Sequence, residues 1–221
     1  MIRSLSLILV SLMLCGFGWR GLRQAVLDNF DGGSDVTLES TGDWTKIAGS
    51  ATLREDGAGT GYSSSAGIGS SVTFYLNDAG KMLNNRKISV EVLILSANTR
   101  AGLIVSGRGS AMKNKFAVYG IRNGANTDYY YVYATGGVDI GPTLIGQIAN
   151  QLQHTILVIQ RGIGKYDVDI EGGTLTVSVD TGGDSGVTND RCGLYYLGPT
   201  FVGGGHQAEW QVLDARLYAY N

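Results

Sequence analysis

Four apolar runs follow one another between residues 86 and 134, at 86–95, 100–106, 115–122 and 128–134. Each has about the length of one strand. Each is rich in β-branched or aromatic residues and is bounded by Gly, Asn, Ser or Thr clusters, which is strand chemistry. They read as consecutive antiparallel strands of a sandwich. The pattern continues on both sides, with strands predicted at 26–30, 71–76, 138–146, 153–160, 192–197 and 210–218. Segments 44–47 and 51–54 read as a hairpin around an Ala-Gly-Ser turn. Segments 165–170 and 174–179 read as a hairpin around Glu171-Gly172-Gly173. The polar stretch 77–85 reads as a loop or one helical turn. No amphipathic helix and no fixed-period repeat interrupts this series. The predicted class is therefore all-β, a two-sheet antiparallel jelly roll over residues 26–221, preceded by a short apolar N-terminal arm and linker over residues 1–25.

The chain carries 34 glycines and only 2 prolines, which suits many short strands joined by Gly-rich turns. Charged residues make up 16% and the net charge is −2. No basic stripe is present to neutralise phosphates, so nucleic acid is not an expected partner. Two cysteines, Cys15 and Cys192, exclude a disulfide framework by count. Residues 1–20 admit two readings. One basic residue before an apolar run fits a secretory signal, although the run is too short to span a bilayer as a helix. The alternation Ser4-Leu-Ser-Leu, passing into Ile-Leu-Val, equally fits an extended arm that anchors the chain on a neighbouring subunit, with Leu5, Leu7, Leu9 and Leu12 as its anchor residues.

The order of elements resembles concanavalin-A-like jelly rolls of the laminin-G type. Leu27-Asp-Asn-Phe30 and Trp44-Thr-Lys look like their opening, and Ala101-Gly-Leu-Ile-Val with Phe116-Ala-Val-Tyr like their middle. His154-Thr-Ile-Leu-Val-Ile-Gln, the hairpin from Tyr166 to Val177 and Arg191-Cys-Gly-Leu-Tyr195 look like their later strands. The resemblance spans about residues 26 to 218. It implies a fold that hosts lectins, glycosidases, adhesion modules and virion proteins.

Three constellations carry candidate chemistry. Asp167-Val-Asp-Ile-Glu171 places three carboxylates on one face of a strand. Laminarinase-type glycosidases of the resembled fold carry a Glu-x-Asp-x-Glu run of this spacing, suited to a retaining mechanism. Here the first position is the shorter Asp167, and Glu171 runs into a hairpin tip. The tyrosine run separates into Tyr129, Tyr131 and Tyr133 on one face and Tyr130 with Val132 on the other. The first set is the candidate carbohydrate platform, since tyrosine rings stack on sugars while their hydroxyls hydrogen-bond. Asp28, Asp31, Asp35 and Asp214 lie in the opening and closing segments, and oxygen-rich turns of this kind can hold Ca²⁺. His154 and His206 lack partners at metal spacing. The main expectation from sequence is a non-enzymatic virion component, a decoration or fibre protein of a bacteriophage that assembles with other virion proteins or with copies of itself. The alternatives are a secreted or lipid-anchored bacterial carbohydrate-binding module that meets cell-surface glycan and, third, a glycoside hydrolase.

Overall fold

The computed structural model describes residues 24–64, 73–81, 86–108, 113–135, 138–149, 153–183, 191–198 and 207–217. The proposed anchor residues Leu5, Leu7, Leu9 and Leu12, together with Cys15 and His206, lie outside them. In chain order come β1 (Gln24–Asp28), β2 (Val36–Thr37), a single 3-10 turn (Leu38–Thr41), β3 (Trp44–Ala48), β4 (Thr52–Glu55), β5 (Gly61–Ser64) and β6 (Thr73–Lys81). There follow β7 (Arg86–Ile94), β8 (Arg100–Arg108), β9 (Lys113–Asn123), β10 (Asn126–Thr135) and β11 (Val138–Ala149). The series ends with β12 (His154–Gly162), β13 (Lys165–Ile170), β14 (Leu175–Asp180), β15 (Arg191–Leu197) and β16 (Ala208–Leu217). They form two antiparallel sheets. The larger runs β14-β13-β12-β7-β16-β5-β4-β2, with β1 added against β16, and the smaller runs β11-β10-β9-β8-β15-β6-β3. The predicted jelly-roll sandwich is the observed architecture.

Alternation builds the core. In β7, Ile88, Val90, Val92 and Ile94 are buried, whereas Lys87 is exposed and Ser89, Glu91 and Leu93 are half-buried. Ile156 and Val158 of β12 and Tyr166, Val168 and Ile170 of β13 face the same layer. Leu103 and Val105 of β8, Phe116 and Val118 of β9, and Leu194 and Tyr196 of β15 meet them from the smaller sheet. Phe116 and Tyr166 stack across the gap with ring centroids 4.1 Å apart and planes at 4°. Trp210 is fully buried and its indole N–H donates to the Gly102 carbonyl at 3.2 Å. Burying each such large ring contributes about 1.5–3 kcal/mol of transfer free energy.

Three expectations change. β7 belongs to the larger sheet, between β12 and β16, so of the four central runs only β8, β9 and β10 are consecutive neighbours. The segments expected to form the first hairpin fall in different sheets: β3 pairs with β6, and β4 with β5 and β2. Trp44 and Leu53 are both buried in the inter-sheet core, so the turn between them passes the chain from one sheet to the other. The stretch from 77 to 81, expected as loop, continues β6. The hairpin β13–β14 is as predicted. Glu171, Gly172 and Gly173 all take positive φ, of 55°, 60° and 95°, which the two glycines adopt at no steric cost.

Candidate functional site

The tyrosine run splits by parity as alternation requires, but the set chosen from sequence turns inward. Tyr129 is fully buried between the sheets. Its hydroxyl meets His154 Nδ1 at 2.7 Å, joining β10 of one sheet to β12 of the other. Burial, reinforced by the charge of Glu171, pushes its phenol well above the ordinary range. Tyr131 and Tyr133 are half-buried against the same core. These three side chains serve packing, which corrects the candidate platform. His154 is a buried group tied to Tyr129.

The opposite parity forms a second apolar cluster on the face of the smaller sheet turned away from the core. It contains Leu76, Ile104, Ala117, Tyr119, Val132 and Tyr195, with Ile47, Ala48, Ile121 and Tyr130 partly buried against it. Register explains its geometry. Tyr130 lies opposite Tyr119, Tyr119 opposite Gly102, and Gly102 opposite Tyr195, so one row crosses β10, β9, β8 and β15. A Cβ at Gly102 would fall 2.2 Å from the Val118 carbonyl oxygen and 2.6 Å from Tyr119 Cα. With no side chain there, Tyr119 and Tyr195 close over the gap and stack with centroids 4.5 Å apart and planes at 3°. Tyr130 continues the stack against Tyr119 at 5.9 Å. The Arg100 guanidinium sits 5.8 Å from the Tyr119 ring centre, a cation–π arrangement. Tyr119 and Tyr195 are closed off, and burial raises both phenols above their usual range. Tyr130 is the ring of the row with accessible surface. Beside the row, Asp128 lies opposite Ile121 and Ile121 opposite Arg100.

The carboxylate run lies on the outer face of the other sheet, as its alternation with Tyr166, Val168 and Ile170 predicts. Asp167 and Asp169 border a shallow depression of about 430 Å³ with Leu157, Ile159, Arg161, Thr176 and Ser178. Each acid is already engaged. Asp167 accepts hydrogen bonds from Arg161 and, at 2.6 Å, from the Ser178 hydroxyl. Asp169 accepts from the Gly173 amide at 2.6 Å, and Glu171 from the Thr155 amide at 2.9 Å. No aromatic ring lines this depression.

The opening and closing segments pair, with Leu27 opposite Asp214. Asp28 accepts from the Trp44 indole at 2.6 Å and the Phe30 amide at 2.8 Å, and Asp31 points to solvent. Asp35 accepts from Arg54 and from the Tyr62 hydroxyl. Among the described residues no group of three His, Cys, Asp or Glu side chains is placed to hold a metal ion, so Asp28, Asp31 and Asp214 do not converge as a calcium site. Cys192 is buried and free, its thiol pushed up to about 11 by burial.

No protein-family model matches the sequence, and no curated protein does. Solved structures do share the fold. A β-glucanase of Bacillus licheniformis matches with a TM-score of 0.58 at 11% identity, over 88% of this chain and 98% of its own. A β-1,3-glucanase from Mycobacterium marinum matches with a TM-score of 0.57 at 11% identity, over 89% and 99%. A LamA variant from Zobellia galactanivorans, in complex with laminaritriose and laminaritetraose, matches with a TM-score of 0.56 at 8% identity, over 89% and 100%. At this identity the likeness establishes the concanavalin-A-like fold. It also overturns the main expectation from sequence. Solved structures with this architecture include β-glucanases, so both the non-enzymatic virion component and the exclusion of enzyme activity are withdrawn.

Proposed function

We propose that the chain is a carbohydrate-binding protein of the secreted or cell-surface kind, binding a neutral glucan on the outer face of its smaller sheet. The observation that carries the reading is the row Tyr130–Tyr119–Tyr195, with an accessible ring at one end and a charged residue, Asp128 or Arg100, beside each of its first two rings. The two buried tyrosines hold the third in place, so little rotamer entropy is lost when a sugar stacks on it. The pyranose face is apolar and its rim is hydroxylated, which matches a ring bordered by a carboxylate and a guanidinium. The fold shared with glucanases, one of them holding laminari-oligosaccharides, supports the same ligand class. The test is calorimetric titration of the full chain with laminaritetraose, with reducing ends followed in parallel. Binding without new reducing ends is the outcome expected of a binding module. New reducing ends would make the protein a hydrolase. No heat and no product would overturn the reading.

A further inference from the structure

Asp128 is the charged group of this face that the fold itself leaves unsatisfied. The residue is 7% exposed, and its Oδ1 is buried with no hydrogen-bond partner among the described residues. Its other oxygen accepts from Asn123 Nδ2 at 3.0 Å across the β9–β10 turn, which fixes the carboxylate plane. A buried carboxylate oxygen without a donor is costly, and folds retain such a group where a partner arrives from outside. Its position is suited to one. Asp128 precedes Tyr130 by two residues on the same strand face, about 7 Å along the strand. Arg100 lies two strands away in the Asp128 row, about 10 Å across.

The chemistry of the missing partner is narrowed by these neighbours. A metal ion needs further ligands, and the described residues supply no such group. An ammonium group would meet the positive Arg100 on the same face. A hydroxyl donates one hydrogen bond without bringing charge, and a hexose ring on Tyr130 presents several. Resting on the glycan reading above, we infer that Asp128 determines ligand specificity: Oδ1 accepts a hydrogen bond from a hydroxyl of the neutral sugar stacked on Tyr130, and Asn123 holds the carboxylate in the orientation that meets it.

The experiment compares wild type, Asp128→Asn and Tyr130→Ala as full chains, by thermal unfolding without ligand and by titration with laminaritetraose. Asn at 128 keeps an acceptor for Asn123 while removing the buried charge. Its melting temperature is therefore expected to equal or exceed that of wild type. Its affinity is expected to fall about ten- to a hundredfold, the loss of one charge-assisted hydrogen bond. Unchanged affinity in Asp128→Asn alongside weakened binding in Tyr130→Ala would overturn the role of Asp128 and leave the glycan reading standing. A lower melting temperature for Asp128→Asn would mean that the oxygen serves the fold, and would also overturn it. A wild type that binds no laminaritetraose would overturn both.

Discussion

Adjacent tyrosines in β10 should behave as different kinds of residue. Tyr129→Ala removes a fully buried ring, for which truncation costs about 3–5 kcal/mol. It also leaves His154 Nδ1 without its partner at 2.7 Å, adding about 1–3 kcal/mol. Tyr130→Ala removes a half-buried ring stacked on Tyr119, worth about 0.5–1.5 kcal/mol beyond its area. The expected total for Tyr130 is about 1–2 kcal/mol, less than half the cost at 129. Urea denaturation reads both, with the slope unchanged if folding remains two-state. Saccharide titration should show the reverse order. Tyr130→Ala should weaken binding of laminaritetraose at least about fivefold, the loss expected of a contact anchor. Tyr129→Ala, where it remains folded, should bind nearly as wild type. Equal destabilisation by the two variants, or loss of binding only at Tyr129, would refute the assignment of faces.

Glu55 is 4% exposed. Its pKa is raised, first by burial and then by the charges of Asp28, Asp31, Asp43 and Asp56. The folded state therefore holds this proton to higher pH than the unfolded chain does. Stability contributed by the protonated form is present below the ordinary carboxylate range and is lost as pH rises through the raised value. Glu55→Gln should be more stable than wild type at pH 7, and the difference in urea midpoint should vanish near pH 4. A constant difference across that range would mean that charge is not the cause. Gly102→Ala should destabilise by more than about 1 kcal/mol, because the added methyl overlaps backbone. It should also weaken saccharide binding without removing any contact group, and unchanged values in both assays would contradict the stacked row. Asp167→Asn and Asp169→Asn lie on the other sheet's outer face and should leave saccharide affinity unchanged. The exposed pairing of Asp167 with Arg161 contributes no more than about 1 kcal/mol.

Strand positions and the hairpin at Glu171-Gly172-Gly173 were legible in the sequence because alternation and turn chemistry are local. Sheet membership was not. Nothing in Ile88-Ser-Val-Glu-Val92 says that it sits between β12 and β16, since that pairing closes loops of more than sixty residues on one side and one hundred on the other. The tyrosine run was legible as two faces but not as inner and outer, because Tyr130 and Val132 are as apolar as Tyr131 and Tyr133. A signal nevertheless stands in the sequence. Each of β8, β9 and β10 carries a charged residue near its start, Arg100, Lys115 and Asp128, and a charge there marks the parity that does not face the inter-sheet core. Arg100 shares parity with Gly102 and Ile104, Lys115 with Ala117 and Tyr119, and Asp128 with Tyr130 and Val132, and every one of these lies on the outer face. The charge near the start of each of these strands therefore assigns the face where the apolar run alone is symmetric. It selects Tyr119 and Tyr130 together, from different strands, as members of one surface.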